Sequence, residues 1–149
     1  MVDALGGIRR VLATGGILVD LRPVPSKCPI EVVTAEEITQ VGEADASGMA
    51  ADDAAADRAI ADAVERGWFL LRRRGHFNFD FYWDSVHEMA TFMADSVRMK
   101  NVVPPVAELE KAVRELAARA PGRTRVRCRR ATMLAVYRKA SFRTLDQAG

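Results

Sequence analysis

Arg10-Val11-Leu12-Ala13-Thr14-Gly15-Gly16-Ile17-Leu18-Val19 is the stretch on which the fold turns. Before it, Val2, Leu5, Ile8 and Leu12 recur at helical spacing, so the chain starts as an amphipathic helix. Gly15-Gly16 supplies the left-handed stop that helix C-termini favour. Ile17-Leu18-Val19-Asp20-Leu21 is then short, apolar and rich in β-branched residues, which predicts a strand buried on both faces, as in a parallel sheet. Pro23, Pro25 and Pro29 end it and open a loop.

Outward from that unit, Ile30–Thr34 and Ile38–Val41 flank Ala35-Glu36-Glu37, a small hairpin by pattern. The Ala/Asp-rich run from Ala51 to Arg66 favours helix, with Ile60 and Val64 as its thin apolar stripe and Gly67 as its cap. Phe77, Phe79 and Phe81 alternate with Asn78, Asp80 and Tyr82, the period of a strand. Ser85 and Glu88 form a capping box opening a helix that carries Val86, Met89, Ala90, Met93 and Val97. Pro104-Pro105 starts another, with Leu109, Val113, Leu116, Ala117 and Ala120 as its stripe. Pro121-Gly122 breaks it, and Arg125–Cys128 and Met133–Tyr137 read as two final strands.

At 149 residues, 49 % apolar and 28 % charged, the chain has the length and composition of one globular domain. No apolar run reaches the roughly 20 residues of a membrane helix. Met1–Leu5 lacks the basic and apolar regions of a signal peptide. Cys28 and Cys128 have no metal-ligand spacing, and two reduced thiols in a cytoplasmic protein are expected. The net charge of +2 is unevenly spread. Residues 28–67 carry ten acidic side chains against Arg58 and Arg66, while residues 98–143 carry thirteen basic ones against Glu108, Glu110 and Glu115. Such a split suits a nucleic-acid face or two mutually attracting regions, but a solvated basic surface is the commoner case.

The order of pieces from Val2 to about Lys139 resembles the carboxy-terminal half of a class I S-adenosylmethionine-dependent methyltransferase. In that family a helix ending in an arginine–hydrophobic–leucine run meets a Gly-Gly turn and feeds the fifth strand, as Arg10–Val19 does. A helix, a Pro-Gly break and strands finishing in Tyr137-Arg138-Lys139 match the antiparallel edge of the family's sheet. The resemblance implies an α/β protein: an incomplete methyltransferase-like, Rossmann-like sheet with a C-terminal antiparallel strand pair and flanking helices. Residues 28–83 read as an insertion, containing the hairpin, within a single domain spanning 1–149. It also implies S-adenosylmethionine as the cofactor, yet the glycine-rich loop that would hold it is missing. Gly6-Gly7 lies within a helix and Gly15-Gly16 precedes a strand, the wrong polarity for a strand–loop–helix site. No cofactor-binding residue is therefore assigned, and an enzyme is expected only if a cofactor-binding partner completes it. Without the family's neighbouring parallel strand, Gly16–Leu21 would leave an apolar edge open. An obligate homo-oligomer, or pairing with a separately encoded amino-terminal half, is the expected remedy.

His76, Asn78, Asp80, Tyr82 and Trp83 form the densest polar-aromatic cluster. By the resemblance, inserted segments supply substrate contacts, so Asn78, Tyr82 and Trp83 are candidates for a substrate wall. His76 or Asp80 is the candidate catalytic base. The competing reading makes Phe77, Phe79 and Phe81 core and Asn78 and Asp80 merely the wet face. His87 reads as a surface residue; two histidines and two distant cysteines give no zinc site. No nucleophile elbow appears either. Arg123, Arg125, Arg127 and Arg129 alternate along a strand with Val126 and Cys128 turned inward, which suits a charged, exposed edge strand. A phosphate-contacting stripe is the alternative, without interleaved aromatics to support it, and Arg72-Arg73-Arg74 is the other basic feature. The functional expectation is thus a methyltransferase-like protein, not autonomous in catalysis. The alternative is a non-catalytic ligand-binding, protein-binding or oligomerisation module, with nucleic acid less favoured.

Overall fold

Gly15 adopts φ +72°, and the Gly16 N–H closes a turn on the Ala13 carbonyl at 2.9 Å. Helix α1 (Val2–Val11) ends four residues before Gly15, so the glycine expected as its left-handed stop instead turns the connection to strand β1 (Ile17–Pro23). The computed structural model describes residues 2–95 and 100–141, so Val97 of the expected stripe lies outside it. The described residues form a mixed α/β protein with four α-helices and six strands. The remaining elements are β2 (Lys27–Val33), β3 (Ile38–Asp45), α2 (Ala50–Glu65), β4 (Phe69–Trp83), α3 (Val86–Asp95), β5 (Lys100–Val103), α4 (Val106–Arg119) and β6 (Arg125–Lys139). They divide into two compact units.

Unit 1 gathers residues 1–22, 52–75 and 133–149, of which the structure describes 2–22, 52–75 and 133–141. Both β1 and β4 pair with β6. The Lys139 N–H donates to the Gly16 carbonyl, and the Ala140 N–H to the Trp68 carbonyl, at 2.8 and 3.1 Å. A buried set including Leu5, Ala56, Ala59, Ala63, Phe69 and Ala135 supplies the core. Helix α2 buries Ala56, Ala59 and Ala63, whereas the expected stripe of Ile60 and Val64 is only half-buried. Alanine turned inward allows a close approach that the longer side chains on its shoulder do not. The helix ends in a Schellman motif: the Gly67 N–H bonds the Val64 carbonyl, the Trp68 N–H bonds the Ala63 carbonyl, and Gly67 takes φ +67°.

Strand β1 departs from its expectation of burial on both faces. Ile17, Val19 and Leu21 are 55–60 % exposed, and the partner, β6, runs antiparallel. The apolar run was read as interior from composition alone, but among the described residues β6 is the only strand paired with β1.

Unit 2 comprises residues 23–51 and 76–132, so most of α2 and the first part of β4 belong to unit 1. The β2–β3 hairpin forms as expected, with Val33 opposite Ile38 and the Thr34 hydroxyl accepting the Glu36 and Glu37 N–H groups. A bulge falls where Ile30 pairs with Gly42 and Glu31 with Gln40, leaving Val41 as the extra residue. Strand β5, not anticipated, pairs antiparallel with β3, and β2 pairs antiparallel with β6. Ser85 caps α3 by accepting the Glu88 N–H at 3.1 Å, as its capping box foretold. Cys28, Ile30, Ala44, Val86, Met89, Met93, Leu109, Val126 and Cys128 belong to one buried cluster. Helix α4 buries only Leu109 of its expected stripe. The two final strands expected at Arg125–Cys128 and Met133–Tyr137 are one continuous strand, β6, because Arg130 and Thr132 between them are buried rather than turned out into a loop.

Candidate functional site

Alternation along β4 sorts the predicted cluster onto two faces. His76, Asn78, Asp80 and Tyr82 share one; Phe77, Phe79, Phe81 and Trp83 share the other. Trp83 therefore leaves the predicted site. Its ring stacks on Phe81 at 5.9 Å and meets Phe92 of α3 at 5.4 Å. Phe77 and Phe79, expected as core, are 43 % and 50 % exposed, since the ring contacts with α3 reach Phe81 and Trp83 only.

On the polar face a chain of charges crosses three strands. Arg127 donates from Nε to Glu31 on β2 at 2.7 Å and lies 3.5 Å from Asp80 on β4. Arg129 donates to the same Asp80 at 3.1 Å. The Arg125 guanidinium sits 4.6 Å from the centre of the Tyr82 ring. Arg123 binds both oxygens of Asp84 at 2.7 and 2.8 Å. Arg127 is only 5 % exposed, and its proton is held more tightly than usual, chiefly by the hydrogen bond to Glu31.

This arrangement corrects the reading of the arginines. They alternate with Val126 and Cys128 as expected, yet β6 is flanked by β2 and β4 in unit 2 and is not an exposed edge. All four arginines face carboxylates, and Arg127 bridges two acids, so the stripe presents little free positive charge. Asp80 is likewise committed to two arginines, which occupy the lone pairs a general base must offer. His76 and Asn78 are exposed, and their side chains make no hydrogen bond to another described residue. His87 is exposed, as expected. Glu31 is the member that sequence reasoning missed; its signal was the Ile30–Val32 alternation, which turns residue 31 to the opposite face.

Unit 1 has its own polar group. Arg22 grips Asp20 with two hydrogen bonds of 2.8 Å and reaches Asp57 at 2.6 Å. Burial opposes the charge of Arg22, but these bonds outweigh it and raise its pKa. A groove of about 460 Å³ beside Asp57 is lined by Ile60, Val64, Leu71, Arg74 and the buried Tyr137, whose phenol burial pushes up.

Neither group has the form of a dinucleotide-like cofactor site. The glycines with positive φ are Gly15, Gly67 and Gly122, and each follows a helix rather than joining a strand to a following helix. An added Cβ on Gly15 would sit 2.9 Å from the Arg138 guanidinium, so that turn is filled by protein. Among the described residues, no positive-φ glycine turn joins a strand to a following helix, the arrangement such a cofactor loop takes. Among the described residues no three histidine, cysteine or acidic side chains cluster as metal ligands, and no helix is long and apolar enough to cross a membrane. Compared with protein-family models, curated proteins and solved structures, the chain matches none.

Proposed function

We propose that the chain is the substrate-side, carboxy-terminal half of a methyltransferase-like, Rossmann-like fold, dependent on another polypeptide region to hold S-adenosylmethionine. The observation that carries the reading is the composition of unit 1. Its pieces follow in the order helix, strand, helix, strand, strand, with the last strand antiparallel to the one before it. Among the described residues β1 pairs only with β6, which leaves its other edge open, where the resemblance calls for a neighbouring strand. The poor fit of the glycine turns to the cofactor agrees with a chain that supplies substrate contacts and positioning, not the methyl donor. Exposed His76, Asn78 and Tyr82 are the groups open to such a substrate.

Calorimetric titration with S-adenosylmethionine and S-adenosylhomocysteine tests this. No heat is expected from the chain alone. A Kd of about 100 μM or tighter, near 5.5 kcal/mol, would mean that it carries its own cofactor site and would overturn the division of labour.

A second reading, a non-catalytic oligomerisation module, is favoured by the same exposed β1. Either way β1 needs a cover, so light scattering of the purified chain is expected to report a dimer or larger species at micromolar concentration. A monomer there would remove the open edge as a basis for assembly. Nucleic-acid binding draws less support, because the β6 arginines are already matched by Glu31, Asp80 and Asp84.

A further inference from the structure

Helix α2 turns Ala56, Ala59 and Ala63 inward, and these small side chains let it lie close to what it covers. Ile60 and Val64, each one residue on from an alanine, stay half-buried on its shoulder. The groove of about 460 Å³ runs beside that shoulder, with Leu71 of β4, 50 % exposed, as another wall. Every residue that lines it belongs to unit 1. Ile60, Ala61, Val64 and Leu71 make its apolar surface wholly aliphatic, which suits an alkyl chain.

Polar groups reach this surface at few points. Tyr137 comes from β6, where alternation turns it the same way as the buried Met133 and Ala135, and it is only 7 % exposed. Its hydroxyl makes no hydrogen bond to another described residue. A phenol buried so deeply carries a free-energy cost that a ligand's acceptor would remove. Three charged side chains line the same groove: Asp57, Glu65 and Arg74. Asp57 is already held by Arg22 at 2.6 Å. Glu65 and Arg74 are exposed, and neither forms an ion pair with another described residue. Of those two, Arg74 is the one whose charge reaches the Tyr137 phenol. Asp20 and Asp57 also act on that phenol and would oppose an anion, but Arg22 binds both. Burial, the largest influence on Tyr137, keeps it protonated and therefore a donor. A donor hydroxyl and an unpaired guanidinium on an aliphatic groove complement an anionic oxygen carried on an alkyl chain.

We propose that this groove binds a small aliphatic carboxylate, a molecule of the fatty-acid class. Its carboxylate accepts from the Tyr137 hydroxyl and pairs with Arg74, while its chain lies along Ile60, Val64 and Leu71. The guanidinium selects the charge, and the aliphatic walls select the tail. The site uses none of His76, Asn78 and Tyr82 and needs no methyl donor, so it stands or fails independently of the methyltransferase reading.

Calorimetric titration of the full chain with octanoate, decanoate and octylammonium is the test. Octanoate should bind one molecule per chain with a Kd of about 1 mM or tighter. Decanoate should bind about tenfold more tightly, the return on two further buried methylenes. Octylammonium, with the same tail and the opposite charge, should give no heat. Arg74→Gln should weaken octanoate about tenfold, the loss of a charge-assisted bond. Arg72→Gln removes an arginine of the same run that does not line the groove, and should leave the affinity unchanged. Tyr137→Phe should weaken octanoate about fivefold, yet leave the thermal midpoint of the free chain no lower, because its hydroxyl has no partner there to lose. Octylammonium binding as well as octanoate, equal losses for the two arginine variants, or no heat from either carboxylate overturns the proposal. The first and last of these are read on the native protein, so they stand even if a variant does not fold.

Discussion

Gly42→Ala is expected to destabilise unit 2 by about 2–3 kcal/mol, the range in which an extra carbon meets groups unable to move aside. A Cβ at residue 42 would lie 2.6 Å from the Val103 carbonyl oxygen, 2.8 Å from Leu109 Cδ2 and 3.0 Å from Pro104 Cδ. The first is backbone of the neighbouring strand, and Leu109 is a fully buried centre of the core, so neither can yield cheaply. Residue 42 also sits at the bulge that lets β3 serve β2 on one side and β5 on the other. Gly48→Ala is the control, because nothing lies within 4 Å of its added carbon. Urea unfolding followed by Trp83, in a Trp68→Phe background that silences unit 1, should show the midpoint falling for the first variant alone. Equal midpoints for the two would show that β3 and β5 can separate without penalty.

What the sequence made legible follows from the range over which each signal acts. The hairpin, the Ser85 capping box and the Gly67 cap are decided within a few residues, and each stands where its pattern put it. The helix of residues 50–65 was legible too, but not its buried face, because burial of Ala56, Ala59 and Ala63 depends on what packs there. Residues 77–82 showed the period of two of the strand at 69–83, yet nothing local reveals that α3 shelters Phe81 and Trp83 and leaves Phe77 and Phe79 open. Strand β5 is four residues long and too short to show a period. The candidate site divided in the same way. Asp80 and Tyr82 were visible as a row, but the partners that define them, Arg127, Arg129, Arg125 and Glu31, come from strands far away in sequence. Only pairing of β2 and β4 with β6 brings those charges together, and that is a property of topology.

Removing the centre of that charge chain should produce the largest loss. Arg127→Met takes away the guanidinium that holds Glu31 at 2.7 Å and faces Asp80 at 3.5 Å. Asp80 keeps Arg129, but Glu31, with a side chain 13 % exposed, keeps no partner in an ion pair. Leaving a mostly buried carboxylate uncompensated typically costs about 3–5 kcal/mol, more than the methionine's added apolar contact returns. The double variant Arg127→Met with Glu31→Leu should recover most of the loss, because the penalty belongs to the stranded charge rather than to the missing attraction. A double-mutant cycle in urea measures both. If the double variant is as unstable as Arg127→Met alone, the arginine contributes through its packed aliphatic stem, and the charge chain is not what orders this face. If it recovers, the ion pair is dispensable for folding, and its place beside Asp80 and Tyr82 fits the setting of a polar surface for a substrate better than the holding of the sheet.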